Sequence, residues 1–236
     1  MIMKLLLRAV LLCCCIIPPF AVADAFQAGL SAMERGHYST AMRAWLKLGK
    51  AGAAEAQNNV GHLYEEGYGV SQNYAEAMVW YRLAADQGLA EAQHNVGMLY
   101  YHGYGVAKNF RESLKWFKRA SQQDLADSQY MLGLSYHQGK GVGLDYEFAK
   151  YWFYKSAVQS YANAQFMYAY MLQAGDGGES EPLKALLWSE LAERNGKTDA
   201  SDISNLSRLL VEDAEQARVP ALASQCLESN YEQCPK

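Results

Sequence analysis

AEAQNNVGHLYEEGYGVSQNYAEAMVWYRLAADQGL, residues 54–89, is one 36-residue unit, and its pattern returns three more times without a gap. The units open at Ala54-Glu-Ala-Gln57, Ala90-Glu-Ala-Gln93, Ala126-Asp-Ser-Gln129 and Ala162-Asn-Ala-Gln165. Gly61, Gly97, Gly133 and Ala169 correspond, as do Tyr64, Tyr100, Tyr136 and Leu172. Gly67, Gly103, Gly139 and Gly175 follow, then Gly69, Gly105, Gly141 and Gly177, then Trp80, Trp116, Trp152 and Trp188. The register holds to Gly196. A fixed period of this length marks a stacked repeat architecture, in which each unit buries its apolar face against its neighbours.

The residues of one unit predict two antiparallel helices. Ala56, Val60, Leu63 and Tyr64 recur at helical spacing. Gly61 sits mid-helix, where glycine costs about 1 kcal/mol against alanine, so a neighbour is expected to pack on its bare backbone. Gly67 can end the helix in the left-handed conformation. Val70 is expected to tuck inward after the turn. Asn73 with Glu76, and Asn109 with Glu112, read as N-terminal capping pairs for the second helix. Ala77, Trp80, Tyr81 and Ala84 form its buried stripe, and Gly88 ends it.

These residues resemble the Sel-one-like repeat (SLR) family, a relative of the tetratricopeptide repeats. The family's unit runs A-E-A-Q-x-x-L-G-x-x-Y-x-x-G-x-G-V, then an acidic or amide cap, then A-x-x-W-Y-x-x-A-A. The resemblance covers roughly residues 25–230 and implies an all-α, right-handed α-solenoid of antiparallel helix pairs. Unit two departs at Ser113, where the pattern has Ala. Unit four departs most, with Leu172, Gly178 and the loop Asp176-Gly-Gly-Glu-Ser-Glu181. The organisation is then an N-terminal capping helix pair at 24–52, four units at 54–89, 90–125, 126–161 and 162–197, and a helical cap with a disulfide at 198–236. In the opening segment Gly36-His37-Tyr38 makes a turn before Ala41, Trp45 and Leu48, and the first helix is expected to be short. In the last, Ile203, Leu206, Leu209 and Leu210 suggest a helix, with Pro220 as a kink or restart in a second.

The N-terminus reads as an export signal. Lys4 and Arg8 precede an apolar run from Ala9 to Ile17, followed by Pro18, Pro19 and the small-residue site Ala21-Val22-Ala23. Cleavage is expected after Ala23, giving a periplasmic or secreted protein with no membrane segment. The run is too short for an anchor. Cys13, Cys14 and Cys15 leave with the signal, and Cys226 and Cys234 remain. An even pair in an exported protein predicts a disulfide, contributing roughly 2–3 kcal/mol for so short a loop. The chain carries 21 basic and 25 acidic residues, and loss of Lys4 and Arg8 moves its net charge from −4 to −6. An acidic chain without a basic stripe argues against nucleic acid as a partner.

A search for catalytic chemistry returns little. No HExxH is present, and Gly133-Leu-Ser-Tyr-His137 lacks the second glycine of a nucleophile elbow. The Gly-x-Gly pairs are repeat turns rather than phosphate loops. Asp176, Glu179 and Glu181 match no calcium-loop spacing. No cofactor and no metal are expected, and no residue is assigned a catalytic role. The varying positions carry more. The fifth residues of the units are Asn58, His94, Tyr130 and Phe166. The ninth are His62, Met98, Leu134 and Tyr170, and the twelfth include Tyr101 and His137. These lie on one helical stripe. In solenoids of this type the first helices line the concave side, so the stripes are expected to form a groove for a protein or extended peptide. Packing between neighbouring repeats is the competing assignment for several of them.

The function expected is a non-enzymatic adaptor or scaffold of the cell envelope. SLR relatives in bacteria serve envelope assembly, signalling and host contact. A second expectation comes from cysteine-rich relatives linked to penicillin binding and weak β-lactamase activity, so a β-lactam- or peptidoglycan-binding protein with weak hydrolase activity is the alternative. Those relatives hold a disulfide in most repeats, and this chain has no cysteine inside its repeats. A third reading places the partner surface on the convex side or on the C-terminal cap.

Overall fold

The computed structural model describes residues 19–235, with side-chain surroundings from residue 23 onward. The positive and apolar parts of the expected export signal lie outside the described residues. Five helix pairs stack in chain order: α1 (Pro19–Glu34) with α2 (Tyr38–Lys50), α3 (Ala54–Glu66) with α4 (Tyr74–Asp86), and α5 (Ala90–His102) with α6 (Phe110–Ser121). Then come α7 (Ala126–Gln138) with α8 (Tyr146–Ala157), and α9 (Ala162–Ala174) with α10 (Pro182–Arg194). The cap is α11 (Ser201–Arg208), the single turn α12 (Asp213–Gln216) and α13 (Val219–Glu228). From α1 to α11 each helix packs on the one before and the one after, which makes the fold an α-solenoid, and α12 and α13 fold back on α10. No strand occurs among the described residues.

The first helix of each pair ends as the glycines require. Gly67, Gly103, Gly139 and Gly175 all adopt left-handed backbone, with φ between 66° and 80°. The chain is then clasped by a recurring backbone bond across the turn: Asn73 N–H to Tyr64 C=O, Asn109 to Tyr100, Asp145 to Tyr136 and Glu181 to Leu172, at 2.8–3.0 Å. The clasp delivers the cap residue to the second helix. Asn73 Oδ1 accepts from the amides of Ala75 and Glu76, and Asn109 Oδ1 from Arg111 and Glu112. Asp145 does the same for Phe148. Glu181 makes no such bond, and Pro182 starts α10 instead.

Packing explains the small residues. A Cβ on Gly61 would sit 2.7 Å from the Tyr81 ring, one on Gly97 2.6 Å from Phe117 and one on Gly133 2.5 Å from Phe153. Each glycine is the seat of a fully buried aromatic ring from its partner helix. Unit four exchanges both members at once, with Ala169 where the glycine stood and Ser189 where the ring stood, both fully buried. Each fully buried Leu at positions 63, 99 and 132 adds about 1.5–3 kcal/mol of apolar burial. Val70, Val106 and Val142 are half-buried against these clusters, so the turn does point its valine inward.

A polar ladder ties the pairs together. Gln57, Gln93, Gln129 and Gln165 are buried at 0–5% exposure. Gln57, Gln93 and Gln165 donate to main-chain carbonyls of the preceding pair, at Gly49, Ala85 and Ala157. The Oε1 atoms of Gln57, Gln93 and Gln129 accept from Gln87, Gln123 and Gln159, and that of Gln165 from Asn195, all within 3.0 Å. The ladder satisfies buried amides that would otherwise each cost about 1–3 kcal/mol. Gln87, Gln123, Gln159 and Asn195 are themselves 36 residues apart, a repeat signal that the aromatic and glycine pattern overshadows.

The two ends refine the sequence reading. The opening segment is a capping helix pair: α1 has 16 residues, of which 24–34 follow the expected cleavage point, and α2 has 13. Its connection has three residues where the repeats α3–α4 and α5–α6 use seven, so the 36-residue register slips by four. Trp45 takes the place of Tyr81 and packs on Gly29 as Tyr81 packs on Gly61. At the other end, α11 buries Ile203, Ser204 and Ser207 and leaves Leu206, Leu209 and Leu210 at 56%, 81% and 64% exposure. The serines win the inner face through hydrogen bonds: Ser204 with Ser189 and Glu193, Ser207 to Gln173. Pro220 lies in the first turn of α13, so it restarts a helix rather than kinking one. The expected disulfide is present between Cys226 and Cys234, with Cα atoms 4.9 Å apart, and it holds Tyr231 over the last unit. The Tyr231 ring stacks on Trp188 with centroids 6.0 Å apart, and its hydroxyl accepts from Gln165 and Asn195. The tail thus finishes the polar ladder where a further repeat would have done so.

Candidate binding groove on the first helices

The first helices of three successive pairs meet at one cleft of about 270 Å³. It is lined by Phe26 and Leu30 of α1, Glu55, Asn58 and Asn59 of α3, and Leu89 and Glu91 at the start of α5. This geometry puts the N-terminal ends of first helices on a shared recessed face, where the varying stripe begins. Its mouth carries the carboxylates of Glu55 and Glu91 and the amides of Asn58 and Asn59, over an apolar floor.

The stripe continues along the stack through neighbour contacts. Asn58 Oδ1 accepts from Asn95 Nδ2 at 3.0 Å. His62 meets the edge of Tyr68 with centroids 6.0 Å apart. Met98, Tyr101 and Leu134 pack against the cluster built on Leu114, Phe117, Met131 and Leu132. Tyr101 O–H lies 2.9 Å from Lys140 Nζ, whose ammonium donates to it and also sits 5.1 Å over the ring. Tyr130 touches Phe153 and Tyr161, at centroid distances of 5.8 and 5.3 Å. His137 faces Tyr146 and Tyr170, and its Nε2 is 3.8 Å from Asp176. Phe166 lies under Lys197 Nζ at 5.2 Å.

Nine of the ten residues that the sequence places in the groove are half-buried, and Tyr170 is exposed at 43%. His94 belongs to the seam between units more than to the groove. Its Nδ1 is 2.9 Å from Ser128 Oγ of the next unit, and its ring packs on Phe117 at 5.5 Å. Burial holds its pKa below the usual 6.5, against the opposing pull of Asp127. Tyr130 and Tyr161 are raised, chiefly by burial. Of the cleft lining the sequence reading named only Asn58 and missed Phe26, Leu30, Glu55, Asn59, Leu89 and Glu91; along the stripe it missed Asn95, Lys140 and Lys197. Ser128 carried a readable signal: it is the single polar residue at a position that is Ala56, Ala92 and Ala164 elsewhere, and it stands against the histidine of the preceding unit.

One metal-like grouping occurs among the described residues. His62, Glu65 and Glu66 each offer a donor atom within 4.8 Å of the others. Glu65 is already engaged, because Tyr81 O–H donates to its Oε2 at 2.6 Å. Burial, then the charge and hydrogen bond of Glu65, keep that phenol protonated far above its ordinary range.

The sequence profile of the Sel1 repeat matches residues 54–89, 90–125, 126–160 and 162–197. The chain belongs to the Sel1 repeat family. The boundaries coincide with the helix pairs α3–α4 to α9–α10, and the family unit leaves α1–α2 and the cap as additions at either end. Among solved structures, the chain is similar to a Sel1 repeat protein from Oxalobacter formigenes, with 25% identity and a TM-score of 0.67 over 89% of this chain and 79% of that one. It is similar to a protective antigen of uropathogenic Escherichia coli with an SLR fold, at 26% identity and a TM-score of 0.70, over 87% of this chain. It spans 50% of that antigen's length. A Sel1 repeat protein from Klebsiella pneumoniae subsp. pneumoniae shares the fold at 19% identity, with a TM-score of 0.54 over 80% of this chain and 93% of that one. No curated protein matches the chain. Sel1 repeat proteins commonly mediate contacts between proteins. Among the described residues no helix is long and apolar enough to cross a membrane.

Proposed function

We propose that this Sel1 repeat protein is an exported adaptor of the cell envelope that holds another protein, or an extended peptide, along its first helices. The observation that carries the reading is the cleft shared by α1, α3 and α5, continued by a stripe whose register is constant and whose residues are not. A solenoid spends its constant positions on packing, so partner choice falls to the varying ones. The stripe passes from Asn58 and His62, beside Glu55 of the cleft, to Tyr130, Phe166 and Tyr170 at the other end. A bound segment would therefore place polar or basic groups near unit one and apolar groups near unit four. Tyr and Met offer large contact area at low entropic cost.

The test is capture from an envelope fraction with the tagged protein and with a Tyr101→Ala, Tyr170→Ala variant. Both residues sit on the stripe outside the fully buried core, so circular dichroism should be unchanged. A partner recovered by the parent and lost from the variant supports the groove. Equal recovery by both overturns it. Export is tested separately: the mature chain recovered from the periplasm or medium should begin at Asp24.

A further inference from the structure

Large exposed hydrophobic side chains occur along the stack, Val79 and Leu83 of α4 among them, and cluster most densely in two places. One is the approach to α8 and its outer face, where Leu144, Phe148 and Tyr151 are 58%, 52% and 53% exposed. The other is the cap, with Leu206, Leu209 and Leu210. Clustered apolar surface of this kind marks an interaction site rather than ordinary exposure.

The internal repeat sets the α8 face apart at Phe148 more than at Tyr151, whose counterpart Val79 is also exposed, at 54%. At the position of Phe148 the other units carry Glu76, Glu112 and Lys184. At Tyr151 they carry Val79, Lys115 and Leu187. Leu187 is informative, because it is 2% exposed, buried in a cluster with Ile203, Val219 and Ala223 of the chain's own cap. The register point that Tyr151 leaves open on α8 is therefore one that cap helices cover on α10. Beside α8 a recess of about 440 Å³ is lined by Tyr151, Tyr154 and Tyr168 with Lys150, Lys155 and Glu147.

Charge points to the same occupant. α6 and α8 together carry six Lys or Arg and two Glu in a chain that is acidic overall. Lys155 and Arg119 reach Asp124 and Asp86 only at 3.8 and 3.9 Å, in exposed pairs that contribute little. Residues 199–218 carry five Asp or Glu and two Arg around the exposed leucines. The two faces are thus apolar at their centres and opposite in charge at their rims, the arrangement that steers and registers an interface.

We propose that a second copy of this chain docks Leu206, Leu209 and Leu210 of its cap onto the Phe148–Tyr151 face of α8, so that copies associate head to tail. The two faces differ, so the contact is heterologous and leaves one free face at each end, which extends to a ring or a chain of copies. The contact is small, which predicts weak association that rises with concentration and falls with added salt.

Light scattering after size exclusion, with sedimentation equilibrium, tests this across about 1 μM to about 1 mM, where weak specific contacts populate. The first variant is Phe148→Glu with Tyr151→Lys, the residues unit two carries at the same points as Glu112 and Lys115, so the fold tolerates them and net charge is unchanged. The second is Leu209→Ser with Leu210→Ser. Unchanged circular dichroism melting shows that both remain folded. The parent should associate, and each variant alone should do so at least about tenfold more weakly. A mixture of the two variants should form a one-to-one pair and go no further, since one retains its cap face and the other its α8 face. A monomeric parent throughout the series, variants that associate like the parent, or a mixture that stays monomeric overturns the proposal.

Discussion

Single residues in this chain are best judged against their three counterparts. Ser113 replaces an alanine that units one, three and four keep as Ala77, Ala149 and Ala185. It is 1% exposed, and its hydroxyl is buried without a hydrogen-bond partner. Ser113→Ala removes an unsatisfied polar group and should stabilise the protein by about 1 kcal/mol or more, read as a raised midpoint in urea unfolding. His94 gives a second residue-scale test. Its pKa is lowered in the folded state, so the unfolded chain takes up a proton that the folded chain resists. That contribution is fully present above 6.5 and is lost as pH falls below it. His94→Asn, which installs the residue that unit one carries as Asn58, should flatten the fall in Tm as the pH is lowered below 6.5. An unchanged slope would show that the seam does not hold His94 neutral. These positions also mark where sequence reading stops. The stripe itself was legible, but a half-buried residue between stacked units lies at once near the groove and in the seam, and spacing within one helix cannot separate the two. His94 is decided by Ser128, 34 residues away on the next first helix.

At the scale of elements, the helices of units one to four were legible because capping residue, left-handed glycine and apolar stripe all point to the same boundaries. The opening pair was legible as a pair, but its connection is four residues shorter than those of units one and two, so the constant period does not give the bounds of α1. In α11 the leucines drew the eye to one face while three hydroxyl-centred bonds fixed the other. Periodicity finds a helix; it does not say which face finds partners. The glycine-and-ring pairing offers an element-scale prediction that separates packing from propensity. In an isolated helix Gly→Ala gains about 1 kcal/mol. In α7, Gly133→Ala would place a methyl 2.5 Å from the buried Phe153 ring, and overpacking of this kind costs about 1–3 kcal/mol. Gly133→Ala should therefore lower Tm. Ala169→Gly in α9, where Ser189 replaces the ring, should also lower it, by about 1 kcal/mol of lost propensity. A stabilised Gly133→Ala would refute the close helix approach.

For the whole molecule, a solenoid's stability is a chain of nearest-neighbour terms, so damage at one end should stay local. The cap is the place to test this, because its tail replaces the neighbour that unit four lacks. Tyr231 closes the polar ladder on Gln165 and Asn195 and stacks on Trp188, and Cys226–Cys234 closes the short loop that holds it there. Trp188 Nε1 also donates to the carbonyl of Pro235 at 3.1 Å. Cys226→Ser with Cys234→Ser removes the cross-link, roughly 2–3 kcal/mol by loop-closure entropy. If the tail acts as a surrogate repeat, hydrogen exchange should quicken in α9, α10 and α13, while α3 and α4, three pairs distant, keep their protection. A uniform loss of protection from α1 to α13 would mean that the units unfold as one body, and the nearest-neighbour account would fail. Tyr231→Phe refines the result: it keeps the stacked ring and removes only the hydroxyl, leaving the amides of Gln165 and Asn195 each one acceptor short. Local quickening in that variant, smaller than in the double serine variant, would assign the difference to the cross-link and the remainder to the end of the ladder.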